Sequence, residues 1–182
     1  MRLKRDFFQK TTIAVAKGLL GQSIVRQWLK QKIRAMIIET EAYIGRDDLA
    51  CHASRGRTKR SEILFWKAGH AYVYLIYGMH HCFNVVTERE NYPAAVLIRG
   101  VIMPNGQIIN GPGRVCKALK INGKFHGQDL IGNKNLWFDG QRSKKEEMRR
   151  KKLKMKSGPR IGVGYAGSWA KKPWRFWQDA SS

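Results

Sequence analysis

Residues 36–44, Met-Ile-Ile-Glu-Thr-Glu-Ala-Tyr-Ile, constrain this chain more than any other stretch. The apolar start predicts a strand, and side chains alternate faces along a strand. On that parity Ile37, Glu39, Glu41 and Tyr43 share one face, while Met36, Ile38, Thr40 and Ala42 share the other. The second face is apolar enough to pack on a core. The first pushes two carboxylates and a phenol into a common space. The chain carries 35 Lys and Arg against 13 Asp and Glu, so acids placed this way read as a built site rather than as ordinary solvated charge.

The formal net charge of +22 points to a polyanionic partner and argues against a small acidic substrate. Nucleic acid is the first reading of that charge, and an anionic membrane surface the second. At 182 residues and 43% apolar content the chain is long enough for one domain with a real core. No apolar run approaches the ~20 residues of a membrane helix, so no membrane span is expected, and DNA rather than a membrane is taken as the partner. Three Cys without paired spacing fit a reducing compartment. Residues 1–17 are basic like a transit peptide, but the spacing of Phe7, Phe8, Ala14, Val15 and Leu19 reads as a first helix of the fold.

In chain order the patterning predicts a helix at 7–20, strands at 23–29 and 33–43, and a Gly- and Asp-rich loop at 44–60 holding His52. A short helix at 61–67 would be capped by Ser61. Strands at 72–77 and 82–87 flank a turn at Gly78 and form a protruding hairpin, with a further strand at 94–103. A helix at 113–121 would turn Val115, Ala118 and Leu119 inward. Residues 130–138 read as extended or irregular. Residues 143–156 read as a basic, exposed loop or helix, and 161–165 and 174–177 as short closing strands. The expected fold is α/β of the α+β type. It is a single compact domain over residues 1–182, with a curved antiparallel sheet and flanking helices.

Several motifs, met in order along nearly the whole chain, resemble the alkyladenine or 3-methyladenine DNA glycosylases of the methylpurine DNA glycosylase family. They are Glu-Thr-Glu-Ala-Tyr-Ile-Gly (39–45), Tyr-Val-Tyr-Leu-Ile-Tyr-Gly-Met (72–79) followed by Asn84, Ala-Val-Leu-Ile-Arg (95–99) and Gly-Pro-Gly-Arg (111–114). Arg-Ile-Gly-Val-Gly-Tyr-Ala-Gly (160–167) and Trp-Ala-Lys-Lys-Pro-Trp-Arg-Phe (169–176) complete the set. Two departures are visible: His80 and His81 stand where aromatics are expected, and 143–156 is more basic than the pattern. The resemblance implies a base-excision repair enzyme that flips an alkylated or deaminated purine from duplex DNA and hydrolyses its N-glycosidic bond. The lesion class is 3-methyladenine, 7-methylguanine, hypoxanthine and ethenoadenine. It implies no metal or organic cofactor; a monomer is expected, and since no motif marks an amine placed at the sugar, no lyase step is expected. The compartment would be the cytoplasmic nucleoid in a bacterium or the nucleus in a eukaryote.

Breaking that bond passes through an oxocarbenium-like sugar, which calls for a nearby anion and a positioned water. The residues alone leave Glu39 and Glu41 open; the resemblance assigns Glu41 as catalytic, with Arg99 near the water and sugar phosphate. Tyr43, His52 and Tyr74 are implied to stack on and read the flipped base. Asn84 is implied to crowd the 2-amino group of normal guanine, and Leu97 to wall the pocket. Tyr77 at the hairpin tip, with Met79 beside it, is implied to wedge into the duplex. Basic side chains such as Arg55, Lys59, Arg60, Lys124, Lys171 and Lys172 are available for phosphate contacts. Adjacent His80, His81 and Cys82 point apart on a strand, so no metal site is expected. The alternative from a different class is a non-catalytic, basic nucleic-acid-binding protein on the same fold.

Overall fold

The computed structural model describes residues 1–140 and 154–179. Most of the basic run at 143–156 lies outside the described residues. Its last residues, Met155 and Lys156, open a strand instead of continuing a loop or helix.

Two short helices start the fold, α1 (Arg5–Phe8) and α2 (Thr12–Leu19), where one helix was expected. The break falls at Thr11, whose hydroxyl accepts from the Ala14 N–H and so begins a new helix there. The strands are β1 (Ser23–Trp28), β2 (Gln31–Ile44), β3 (Ala71–Ile76), β4 (His80–Val86), β5 (Ala94–Ile102), β6 (Ile108–Asn110), β7 (Leu136–Asp139), β8 (Met155–Gly158) and β9 (Arg175–Gln178). A third helix, α3 (Pro112–Ala118), follows β6. It buries Val115 and Cys116 where Ala118 was expected inward, and Leu119 just beyond it is fully buried. The short helix at Glu62–Phe65 is of 3-10 type, and Ser61 does not cap it: its hydroxyl bonds to the Gly56 carbonyl and the Thr58 N–H.

The strands form one curled antiparallel sheet in the order β3-β4-β5-β2-β1-β7, with β6 added on β5 and the β8–β9 pair added on β2. The curl wraps a core of Phe8, Leu19, Ile24, Phe83, Ile98 and Leu119, all essentially without exposed surface. Helices α2 and α3 close that core on the inner side of the sheet. Residues 161–165, read from sequence as a strand, form a turn leading into 3-10 structure at Gly164–Lys171. Three glycines at 162, 164 and 167 explain the difference, since Gly162 and Gly167 adopt positive φ that a strand does not contain.

The central strand corrects the simple parity of the sequence. Ile37 sits in the main core with Ala35 and Ala42, not beside the carboxylates. The pairing of β2 with β5 slips at this point: Ile37 faces Val101, Glu39 faces Gly100 and Thr40 faces Ile98, so β2 is irregular on both sides of Glu39. A β-bulge of this kind switches the face to which the following residues point. Ile37 and Thr40 therefore both turn to the core, where the Thr40 hydroxyl donates to the Ala16 carbonyl, while Glu39, Glu41 and Tyr43 face the other way. Gly100 makes room for the bulge, because a Cβ there would lie 2.9 Å from that of Glu39.

Candidate active site

On the far side of the sheet from the core, β2, β4 and β5 floor a cleft of about 660 Å³. Eight of the nine side chains singled out from sequence line it: Glu41, Tyr43, His52, Tyr74, Tyr77, Asn84, Leu97 and Arg99. Register explains the convergence. Leu97 on β5 pairs with Glu41 on one side and with Asn84 on the other, and Asn84 pairs with Tyr72 on β3. Met79 is the exception: it stands beside Tyr77 at the hairpin tip, 73% exposed, outside the cleft wall.

Glu41 is the most enclosed carboxylate of the cleft. Its Oε2 accepts from the Tyr43 hydroxyl at 2.8 Å and its Oε1 from the Ile161 N–H at 3.0 Å. Arg99 Nε lies 3.6 Å from the same Oε1 and 3.2 Å from Glu39 Oε1, and Arg175 Nη1 holds Glu39 at 3.1 Å. The result is a row of alternating charge, Arg175, Glu39, Arg99 and Glu41, laid across three strands. Burial pushes the Glu41 pKa upward, against the opposing pull of the Ile161 N–H, the Arg99 guanidinium and the Tyr43 hydroxyl. Burial and the adjacent Glu41 charge push Tyr43 well above its ordinary value, so its phenol remains a donor.

The aromatic wall is built from two segments. His52, in the 3-10 turn His52–Arg55, has Nδ1 2.7 Å from the Tyr72 hydroxyl and meets the Tyr74 ring edge-on at 4.6 Å. Burial, then the Arg60 and Arg55 charges, lower the His52 pKa to about 4, so the imidazole is neutral at pH 7. Both Tyr72 and Tyr74 border the cleft; Tyr72 is only 2% exposed and clusters with Cys51, Leu64 and Phe65, whereas Tyr74 is half-buried. Asn84 is buried and its Nδ2 donates to the Tyr72 carbonyl at 3.1 Å, so a backbone-bonding role and a place in the cleft wall hold together.

Two parts of the site escaped the sequence reading. The first is the Ile161–Tyr165 segment, whose leading N–H caps Glu41 and which closes one side of the cleft. The second is the fully buried pair of Arg160 and Asp48, at 2.5 and 2.8 Å. Arg160 also donates to the carbonyls of Ala42 and Trp169 and lies over the ring of Tyr43 at 4.8 Å. It thereby ties the loop after β2 to the segment over Glu41. Asp48 sits in a loop without periodicity, and no pattern marked it. Arg160 was visible only as the first residue of a motif that looked extended.

The family profile described as Methylpurine-DNA glycosylase (MPG) matches residues 6–182. The chain belongs to that family. It is 43% identical over 195 residues to a protein of Methanocella arvoryzae, covering 98% of this chain and 93% of the relative. It is 45% identical over 179 residues to one from Myxococcus xanthus, covering 96% and 89%. Over 133 residues it is 53% identical to one from Rickettsia felis, covering 72% and 73%. All three relatives bear the name "Putative 3-methyladenine DNA glycosylase". The family is one of DNA glycosylases, the enzymes that open base-excision repair.

Proposed function

We propose that this chain is a monofunctional purine DNA glycosylase, with Glu41 as base and anion beside the deoxyribose. The supporting observation is the placement of one desolvated carboxylate at the floor of a ring-walled cleft, held by Tyr43, Ile161 and Arg99. An alkylated purine is electron-poor, and the faces of Tyr43, His52 and Tyr74 are suited to hold it once it leaves the stack. As the bond from C1′ to the purine nitrogen breaks, its electron pair leaves with the base. The positive charge left on the sugar is stabilised by Glu41. Water adds to C1′ and gives its proton to Glu41, which completes a hydrolysis without a covalent enzyme intermediate. Asn84 crowds the 2-amino group of normal guanine, and Leu97 walls the pocket.

Glu41 has no exposed surface of its own, because the Tyr43 hydroxyl and the Ile161 segment cover it. Water reaches it when one of those two covers yields as the nucleotide enters. Each cover is one hydrogen bond to a carboxylate, worth about 1.5–3 kcal/mol, so opening one of them costs an amount that binding of the flipped nucleotide offsets. Arg99 then keeps the charge row intact while the cover is open.

Single-turnover excision from a duplex carrying one 3-methyladenine or hypoxanthine tests the reading. Glu41→Gln should keep its affinity for that duplex and lose activity by roughly 10²- to 10⁴-fold, the usual contribution of a general base. Unchanged turnover would remove Glu41 from the chemistry. If the wild-type chain releases no base from any lesion of this class, the reading as a non-catalytic nucleic-acid-binding protein takes its place.

A further inference from the structure

A second cavity, of about 410 Å³, opens beside β1 and the turn Gly123–Phe125 and shares no lining residue with the cleft. Its inner wall holds Arg26, only 8% exposed. Arg26 Nη1 donates to the backbone carbonyls of Gln27 and Asn135, and its guanidinium lies 4.7 Å from the centre of the Phe125 ring. Its Nε has no hydrogen-bond partner, and among the described residues no carboxylate lies within ion-pair distance of it. Arg160, the other buried arginine among the described residues, also leaves its Nε without a hydrogen bond but has Asp48 at ion-pair distance, so the missing counter-anion is what sets Arg26 apart. A guanidinium taken from water without a counter-anion costs several kcal/mol. The rim adds Lys120 and Lys124, both exposed, and no Asp or Glu lines the cavity. Lys120 Nζ rests 3.0 Å above the Trp28 ring, which holds that ammonium at the mouth.

We propose that this cavity binds a phosphate group, with Arg26 at its base and Lys120 and Lys124 at its mouth. The planar fork of a guanidinium matches a phosphate oxygen pair, and two ammonium groups complete the charge of an oxyanion. Two sources offer that chemistry to so basic a chain: a backbone phosphate of nucleic acid lying away from the cleft, and free phosphate. The proposal does not rest on the assigned reaction, and its test does not read excision.

The first measurement is ³¹P line broadening of inorganic phosphate titrated with the full chain at fixed ionic strength, beside Lys120→Ala and Arg26→Met. Wild type should bind phosphate, Lys120→Ala should bind it about tenfold more weakly, as expected for loss of one charge-assisted hydrogen bond, and Arg26→Met should not bind it. Lys120 is exposed, so its variant decides the matter even where the Arg26 variant fails to fold. The second measurement is affinity for undamaged duplex against salt. A nucleic-acid occupant predicts that Lys120→Ala makes the slope of log K against log salt shallower by about 0.9. A lost phosphate response with an unchanged slope assigns the cavity to free phosphate. Equal broadening by wild type and both variants, with equal salt slopes, overturns the proposal.

Discussion

At the scale of single residues the site sets two ionisable groups in opposite directions. Glu41 is held above the ordinary carboxylate range by burial, and His52 is held down to about 4 by burial and two arginines. A base must be unprotonated to accept a proton, so excision should rise with pH through a limb displaced upward from ordinary glutamate. His52 is already neutral above its lowered pKa and contributes nothing to that limb above pH 5. A kcat–pH profile of His52→Gln should therefore keep the wild-type shape while losing affinity for the lesion. A limb that vanishes in this variant would transfer the titration to His52. The same shifts bear on stability. The folded protein binds a proton at Glu41 more readily than the unfolded chain does, so this group stabilises the fold as pH falls through its raised pKa. His52 acts in reverse: the unfolded chain takes up its proton first, and stability is lost as pH falls from about 6.5 towards the folded value of about 4. Replacing the buried Glu41 charge by an amide should leave the thermal midpoint at neutral pH unchanged or higher, a measurable trade of stability for function.

At the scale of elements, the cover over Glu41 hangs on the clamp between the loop after β2 and the segment at 158–163. Asp48 also accepts from the Ile44 and Ala50 N–H groups, so it organises its own loop before it meets Arg160. Asp48→Ala strands a fully buried guanidinium and should cost about 3–5 kcal/mol in chemical denaturation. Excision should fall too, because Tyr43 and Ile161 both rest on Arg160 or its neighbours. The hairpin tip behaves differently. Tyr77 is 88% exposed at φ 52° and packs on no cluster, so it contributes little to the fold. Tyr77→Ala should keep the thermal midpoint and weaken binding to lesion duplex roughly tenfold, the scale of one lost stacking contact. Equal affinity of both proteins for lesion and undamaged duplex would end the wedge assignment. These two elements also mark how far a sequence reading reaches. The hairpin, with its Gly turn and alternating aromatics, was legible because local geometry dictates it. So was the acid-bearing strand, but not its bulge, which depends on how Gly100 of a distant strand accommodates Glu39. The Arg160–Asp48 pair spans 112 positions of sequence and has no periodic trace. The resemblance carried the residue assignments that alternation could not make, above all Glu41 over Glu39.

At the scale of the whole molecule, the charge balance is more lopsided outside than the composition states. Of the 13 acids, Glu39, Glu41, Asp48 and Asp139 are buried, whereas among the described residues only Arg26 and Arg160 of the Lys and Arg are, so the acids are drawn inward. Among the described residues no helix is long and apolar enough to cross a membrane. Arg55 and Arg60 line the cleft, and Lys59, Lys171 and Lys172 are exposed on the segments that flank it. Five phosphate contacts from these groups imply a slope of log K against log salt of about −4.5. Such contacts fix the position of a duplex without reading its sequence or its damage. The double variant Arg55→Ala, Lys59→Ala should therefore bind undamaged and lesion duplexes more weakly by the same factor, with both slopes shallower by about 1.8. The ratio of the two affinities should stay at its wild-type value, and the excision rate of the bound lesion should not change. Fluorescence anisotropy across a salt series, run on matched duplexes with and without one lesion, measures all of these quantities together. A loss confined to the lesion duplex would instead place one of these cations against the flipped nucleotide, since a group that meets only the backbone has no means of telling the two duplexes apart.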